Sequence, residues 1–119
     1  MTDPGEELVE IIDADGRVER LATRAAMRAD RLRHRSVVIA VRRPGDRAVL
    51  AHQRADWKDV WPSRWDVAFG GVCAVGETFP AAALREVAEE AGIVVSEPEL
   101  LDLGDDRFES DEVRVVGRI

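Results

Sequence analysis

The sequence is short of cysteine and of long apolar runs, and these two absences exclude whole classes of protein. Cys73 is the only cysteine, so the chain cannot form an internal disulfide, and a reducing compartment, the cytoplasm, is expected. Nothing near Cys73 in the sequence predicts a reactive thiol, which favours a small, partly buried side chain over a nucleophile. No apolar run approaches the roughly 20 residues of a membrane span, and the N-terminal residues MTDPGEE are acidic, unlike a secretory signal.

A net positive charge is also lacking. The 119 residues carry a net charge of −7, which argues against nonspecific binding to nucleic acid or to anionic membranes. The charge is unevenly distributed, because residues 17–64 contain 12 Arg and 1 Lys against 5 acidic residues, whereas the remainder contains 4 Arg against 19 acidic residues. Two interpretations stay open: a genome that encodes Arg in place of Lys, or a basic wall that binds an anion opposite an acidic, cation-binding half.

The predicted elements run in the order strands, one main helix, strands, which indicates a single α+β domain with a mixed sheet. Residues 25–35 predict a short helix or an irregular crossover, and the Trp-rich residues 55–66 predict a loop. The continuous apolar run SVVIAV (36–41) is typical of a buried central strand. The other strands are predicted within LVEIIDADGRVERLATR (8–24), AVLAHQR (48–54), VAFGG (67–71), ELLDLGDDRFES (99–110) and EVRVVGRI (112–119).

The main helix is predicted from its caps and its apolar period. Thr78 suits the N-cap and Pro80 suits the first turn, while Gly92 suits a left-handed C-terminal cap. Apolar residues recur every four positions along one stripe, which should pack against the sheet. The stripe consists of Phe79, Ala83, Val87 and Ala91.

Three carboxylates lie on one flank of this helix, in the segment REVAEEAG (85–92). Glu86, Glu89 and Glu90 are three and four residues apart, and like charges at that spacing destabilise a helix by roughly 0.2–0.5 kcal/mol per pair. The last turn of a helix favours cations, so two of these residues are also unfavourably placed. A bound Mg²⁺ or Mn²⁺ would remove the repulsion, since both ions prefer carboxylate oxygens. The alternative is a solvated acidic helix face.

The segment GVCAVGETFPAAALREVAEEAGI (71–93) resembles the Nudix box of the Nudix (MutT-type) hydrolases. That pattern is Gly, five residues, Glu, seven residues, Arg-Glu, an aliphatic residue, one residue, Glu-Glu, one residue, Gly and an aliphatic residue. Every defined position is met. The matching residues are Gly71, Glu77, Arg85, Glu86, Val87, Glu89, Glu90, Gly92 and Ile93.

The resemblance implies a Nudix-type mixed sheet packed by helices, with a catalytic loop-helix-loop at 71–93. It implies metal-dependent hydrolysis of a nucleoside diphosphate linked to another group, with Mg²⁺ or Mn²⁺ as cofactor and a small-molecule diphosphate as partner. Glu86 and Glu90 would be metal ligands together with Gly71, and Glu89 would be a ligand or the general base. The box does not settle which glutamate is the base, nor does it set the substrate.

Residues beside these glutamates have expected supporting roles. Glu77, in the loop before the helix, can pair with Arg85 and brace that loop. The Gly70-Gly71 pair allows backbone to approach metal and phosphate closely. Arg54 and Lys58 are candidate phosphate ligands in the basic segment, the alternative being surface cations. Arg64, in the same Trp-rich loop as Lys58, is a candidate of the same standing as Lys58.

A wider resemblance covers most of residues 8–103 and points to the Nudix branch related to isopentenyl-diphosphate isomerase. The similar segments are LATRAAMRADRLRHRSVVIAV and AHQRADWKDVWPSRWDVAFGG. The catalytic cysteine of the isomerases falls at Gly70, and two histidines of their metal site fall at Val72 and near Met27. Only His34 remains, and a structural role is favoured for it. We expect isomerase activity to be lost, but an isomerase-like enzyme and a nucleotide-binding module without turnover stay open.

The chain reaches Ile119 within a predicted strand, and a complete domain needs a layer over the other face of the sheet. We therefore expect residues 1–119 to form a single Nudix domain that lacks its C-terminal strands and helix here.

The Trp side chains at 57, 61 and 65 could stack a nucleobase, although at least one is expected in the core. A homodimer is compatible with the sequence.

Overall fold

The computed structural model describes residues 4–58, 62–109 and 114–118, with side chains described as far as Gly104. Two helices and eight strands follow one another in the predicted α+β order, so this part of the prediction is confirmed. The helices are α1 (Arg24–Ala29) and α2 (Phe79–Ala91), and short 3-10 turns lie at Pro4–Glu6 and Glu97–Glu99. The strands are β1 (Leu8–Ile12), β2 (Val18–Thr23), β3 (His34–Ile39), β4 (His52–Gln53), β5 (Trp65–Asp66), β6 (Phe69–Val72), β7 (Asp105–Glu109) and β8 (Arg114–Arg118).

The main sheet is mixed, as predicted. Strand β3 pairs antiparallel with β1 and with β6, and parallel with β8. Strand β2 lies outside β1, and β7 lies outside β8. The short strands β4 and β5 form a separate antiparallel pair. This topology places the paired glycines of β6 beside the centre of β3, with Val37 opposite Gly71.

The central strand differs from the prediction in its limits and in its burial. It begins at His34, two residues earlier than expected, and ends at Ile39. Val37 is buried at 2% exposure, but Val38 is 39% exposed. The register places Val38 opposite Gly70, and a glycine has no side chain with which to cover its cross-strand neighbour. The apolar run was therefore an incomplete guide to burial.

The prediction of a strand within residues 48–54 is mostly wrong. Only His52 and Gln53 form a strand, and a single bridge joins Arg42 to Val49. The turn before it is closed by the Arg43 guanidinium, which donates two hydrogen bonds to the Asp46 carboxylate at 2.9 and 2.6 Å. Arg47 has φ +61°, a left-handed conformation that interrupts regular pairing.

Two groups of buried side chains hold the helices to the sheet. Helix α1 inserts Met27, which is 1% exposed, into a cluster with Val9, Ile11 and Ala22. Helix α2 covers β3 and β6 through a second cluster, which consists of Val37, Cys73 and Ala82 with Ile39 and Phe79 packed against it.

Helix α2 has the predicted limits, because its caps form as expected. The Thr78 hydroxyl accepts a hydrogen bond from the Ala81 N–H at 3.2 Å, and Gly92 closes the helix at φ +68°. The buried side differs slightly from the predicted stripe, since Ala82 rather than Ala83 is fully buried. The helix is thereby rotated so that Glu86, at 6% exposure, lies on the buried side.

Candidate active site

Strand β6 brings two glycines close to other parts of the chain. A Cβ atom at Gly70 would come within 2.7 Å of the carbonyl oxygen of Val37 on β3. A Cβ atom at Gly71 would overlap the carboxylate of Glu86. A side chain at residue 70 would collide with backbone, and one at residue 71 would displace the Glu86 carboxylate, so backbone atoms line this part of the site.

The Glu86 carboxylate is buried between α2 and β6. Burial raises the pKa of Glu86, while the hydrogen bond and charge of Arg85 oppose that rise. Arg85 Nη1 donates to Glu86 Oε1 at 2.8 Å. A buried carboxylate is costly unless a cation compensates it, so this position favours either the guanidinium or a bound metal ion.

Arg85 connects the carboxylates of the motif to one another. Its guanidinium donates two hydrogen bonds to Glu77, both at 2.8 Å, and one to the carbonyl oxygen of Val72 at 3.2 Å. It also donates to Glu89 Oε2 at 3.2 Å. The predicted Glu77–Arg85 pair is therefore present, and these hydrogen bonds raise the pKa of Arg85 and lower that of Glu77.

The loop before α2 is fixed at two points. Glu77 accepts a hydrogen bond from the Ala74 N–H at 2.9 Å. Gly76 N–H donates at 2.6 Å to Glu10 on β1, and Arg35 on β3 donates to the same oxygen at 3.1 Å. No local pattern in the sequence points to Glu10, because it lies 66 residues away from Gly76 along the chain.

The two remaining glutamates of the motif lie on the exposed flank of α2. Glu90 pairs with Lys58 at 3.6 Å, and Glu89 with Arg85. Among residues 4–58 and 62–104, no three His, Cys, Asp or Glu side chains are placed to hold one ion together. Their chemistry nevertheless fits Mg²⁺ or Mn²⁺, since each supplies hard oxygen donors and each now contacts a cation that a metal ion could replace.

A cleft of about 410 Å³ joins these glutamates to the basic segment. Glu86, Glu89 and Glu90 line it together with the Gly70-Gly71 backbone. The described lining also includes basic side chains from two parts of the chain, which are Arg24 and Arg28 of α1, and Arg54 and Lys58 after β4. The structure thus brings the candidate phosphate ligands Arg54, Lys58 and Gly70 to the same cleft as the predicted metal ligands.

Arg24 and Arg28 were missed as candidates. Arg28 lies in the segment predicted as a short helix or crossover (25–35), and Arg24 directly precedes it. Their spacing of four residues was a usable signal, because residues at that spacing lie on the same face of a helix. Arg64, in contrast, is exposed and does not belong to the described lining of the cleft.

Trp57 and Trp65 are 76% and 72% exposed, and residue 61 lies outside the described residues, so a core tryptophan is not seen among the described ones.

The positions that match isomerase histidines are occupied by packing residues. Met27 is fully buried in the core, and Val72 packs against the same cluster. His34 is 1% exposed, and its Nδ1 donates to the carbonyl oxygen of Leu32 at 2.9 Å. Burial lowers the pKa of His34 to about 4. Cys73 is also buried, and burial raises its pKa to about 11, which agrees with a packing role.

Several known proteins are similar to this chain in sequence. A family model of the NUDIX domain matches residues 32–117. An uncharacterized Nudix hydrolase of Streptomyces coelicolor, SCO1686, is 41% identical over 87 residues, which are 73% of this chain and 48% of the relative. The uncharacterized Nudix hydrolase YfcD of Escherichia coli K12 is 38% identical over 87 residues, with the same coverage of both chains.

The fold has a counterpart among solved structures. The crystal structure of DR0079 from Deinococcus radiodurans matches with a TM-score of 0.67 and 23% identity, over 94% of this chain and 71% of that one. The chain spans about half the length of the curated relatives it matches. In the described part of the chain, no helix is both long enough and apolar enough to cross a membrane.

Proposed function

The chain belongs to the Nudix family, and on that premise we propose that it hydrolyses the diphosphate of a nucleoside diphosphate linked to another group, with Mg²⁺ or Mn²⁺ as cofactor. One observation carries the proposal. Three glutamates of a complete motif, Glu86, Glu89 and Glu90, line one cleft. Arg54, Lys58 and the Gly70-Gly71 backbone line the same cleft. Acidic and basic groups that meet in one cleft suit a metal ion and a phosphate group together.

The basic side of the cleft binds the diphosphate in this proposal. Arg54 can form two parallel hydrogen bonds to a phosphate, and Lys58 supplies a point charge. The backbone of Gly70 and Gly71 allows the phosphates to approach closely, because neither residue has a side chain in the way. Lys58 contacts Glu90 at 3.6 Å and would exchange that contact for the substrate if a metal ion took the place of its ammonium group.

The acidic side would hold the metal ion through Glu86, Glu90 and Glu89, with the backbone of Gly71. When bound, the metal ion neutralises charge on the diphosphate and favours ionisation of the attacking water. Glu89 is the more exposed carboxylate beside Glu86, so its Oε atoms can act as a ligand or accept the proton of that water. Arg85 and Glu77 hold the preceding loop in place and keep Glu86 oriented.

Two other functions are less well supported. An isomerase-like reaction would need a catalytic group at residue 70, where a Cβ atom would collide with the carbonyl of Val37. A module that binds nucleotides without turnover would not need the full set of carboxylates. We place the protein in the cytoplasm, with a small molecule as its partner, and a homodimer is compatible with the proposal.

Purified protein tested against a panel of substrates separates these functions. The panel contains ADP-ribose, a diadenosine polyphosphate, NADH, a sugar nucleotide and isopentenyl diphosphate, each with and without Mg²⁺, and products are separated by chromatography. We expect metal-dependent release of a nucleoside monophosphate, which Glu86→Gln abolishes. Formation of dimethylallyl diphosphate would favour the isomerase, and binding with no product from any compound would favour the module.

A further inference from the structure

Two arginines outside the motif share the cleft with it. Arg24 and Arg28 lie four residues apart on α1, so their side chains leave the same face of that helix. Both line the cleft that Glu86 and Gly71 line. Their position is separate in the chain from Arg54 and Lys58, which follow β4.

Helix α1 holds these arginines on a firmly packed support. Met27, between them in sequence, is 1% exposed within the cluster of Val9, Ile11 and Ala22. The Thr23 hydroxyl caps the helix by accepting from the Ala26 N–H at 3.1 Å, and the Arg24 N–H donates to the Glu7 carbonyl at 2.7 Å. A packed and capped support is what a preorganised binding site requires.

Helix α1 contributes two of the basic side chains that line the cleft, Arg24 and Arg28. Arg24 pairs with Glu7 at 3.8 Å, and their side chains are 31% and 57% exposed, so the pair contributes little and can yield to a stronger anion. The charges of these arginines also act on the buried His34. Burial is the main cause of the lowered pKa of His34, and the charges of Arg28 and Arg24 lower it further.

The diphosphate does not account for all of this charge. A diphosphate linked at both ends carries about one negative charge on each phosphate, as phosphodiesters do. Arg54 and Lys58 already match those two charges. A phosphate monoester carries about −1.5 to −2 at neutral pH, which suits a pair of arginines.

We propose that Arg24 and Arg28 form a second phosphate-binding subsite, which selects substrates that carry a phosphate monoester in addition to the diphosphate to be cleaved. This inference rests on the proposed function, because it assigns the substrate class of the same cleft. If the subsite exists, the basic segment 17–64 selects between substrates, in addition to attracting anions in general.

Matched pairs of compounds test the subsite, since each pair differs by one phosphate monoester. The pairs are coenzyme A with 3′-dephospho-coenzyme A, and NADPH with NADH. For at least one pair, we expect kcat/KM to be at least tenfold higher for the phosphorylated member. The difference should arise from a lower KM. Arg24→Ala and Arg28→Ala should each reduce this preference about tenfold or abolish it, because kcat/KM falls more for the phosphorylated member than for the member without the phosphate.

Arg20→Ala is the matched control, because Arg20 is an exposed arginine of the same basic segment that is not among the residues lining the cleft. It should retain the full preference, and Arg28→Lys should restore part of it. Thermal unfolding of each variant confirms that α1 remains folded. An equal loss with both members of a pair would place these arginines at the diphosphate and overturn the subsite, as would a wild-type protein with no preference.

A binding measurement separates this inference from the proposed function. Calorimetry compares the Kd values of the two members of each pair for the wild-type protein without metal, so that no turnover is needed. If the protein hydrolyses none of the compounds but binds the phosphorylated member at least tenfold more tightly, and loses this in Arg24→Ala, the subsite stands and the hydrolase proposal fails. Equal Kd values overturn the subsite whatever the activity.

Discussion

The carboxylate of Glu86 lies so close to the backbone of Gly71 that a Cβ atom at residue 71 would overlap it. The two residues belong to different elements, since Glu86 is on α2 and Gly71 is on β6. Their contact is possible because α2 packs across β6 through Cys73 and Ala82. The fixed distance between the glycine and the glutamate in the motif therefore has a steric cause in this fold.

Gly71→Ala should abolish activity while leaving most of the fold intact. The new methyl group would displace the Glu86 carboxylate, so both its hydrogen bond with Arg85 and its place in the metal site would be lost. We expect kcat to fall at least a hundredfold and the metal-induced change in Tm to disappear. Gly45→Ala is the control, because a Cβ atom there meets nothing within 4 Å. Normal activity in Gly71→Ala would contradict the packing of Glu86 against β6.

Millimolar Mg²⁺ or Mn²⁺ should raise the Tm, since a ligand that binds only the folded state stabilises it by mass action. Glu90→Gln should remove most of this increase with little effect on the stability of the metal-free protein. The Glu90–Lys58 pair that it breaks is partly exposed, and such pairs contribute about 0–1 kcal/mol. Differential scanning calorimetry measures both effects, with Glu19→Gln, at an exposed position of β2, as the control. A Tm that metal leaves unchanged would remove the basis of the site.

Local signals explain which parts could be predicted from the sequence. The limits of α2 follow from Thr78 and Gly92, which act within one turn of the helix ends, and the motif fixes the positions of its glutamates by spacing alone. Glu10 could not be found in this way, because its partner Gly76 is distant in sequence and only the pairing of β1 with β3 brings it near. The exposure of Val38 depends on a strand register that the apolar run does not encode. Whether C-terminal strands and a helix complete the domain stays a prediction.

Glu10 should act as a positioning residue for the loop before α2. Its carboxylate accepts hydrogen bonds from Gly76 N–H and from Arg35, so Glu10→Ala leaves both donors without that partner. We expect kcat to fall several-fold with little change in KM, and amide exchange at Gly76 to accelerate by about tenfold or more. Glu10→Gln retains an acceptor for Gly76 and should recover part of the activity. Unchanged exchange at Gly76 in Glu10→Ala would show that the loop is held by Glu77 alone.

Arg54→Ala should weaken substrate binding more than it slows the chemical step. A charge-assisted contact to phosphate contributes about 1.5–3 kcal/mol, so KM should rise roughly ten- to a hundredfold while kcat changes less. Arg64→Ala is the matched control, since Arg64 belongs to the same basic segment but is exposed and is not among the described residues that line the cleft. Glu86→Gln should show the reverse pattern, with a larger effect on kcat. Equal KM values for Arg54→Ala and Arg64→Ala would mean that metal and backbone alone hold the phosphates.

Protonation of His34 should destabilise the fold in mildly acidic solution. The pKa of His34 is about 4 in the folded protein, against an ordinary value of 6.5, because burial disfavours the charged imidazole. Between pH 6.5 and pH 4 the unfolded chain therefore binds a proton that the folded protein does not, and stability falls as the pH falls. The loss approaches its full value below pH 4 and amounts to roughly 3 kcal/mol, since a difference of one in pKa corresponds to 1.36 kcal/mol.

A variant isolates this effect from that of other titrating groups. Glu86 has a raised pKa and contributes in the opposite direction, but it is present in both proteins of the comparison. His34→Asn cannot titrate, and its amide can still donate to the carbonyl of Leu32, as Nδ1 does. The free energy of unfolding, measured with urea from pH 7 to pH 4.5, should fall more steeply for the wild-type protein than for His34→Asn. NMR titration of the His34 ring gives its pKa directly in the wild-type protein, so a value near 6.5 would contradict the buried neutral imidazole even if the variant fails to fold.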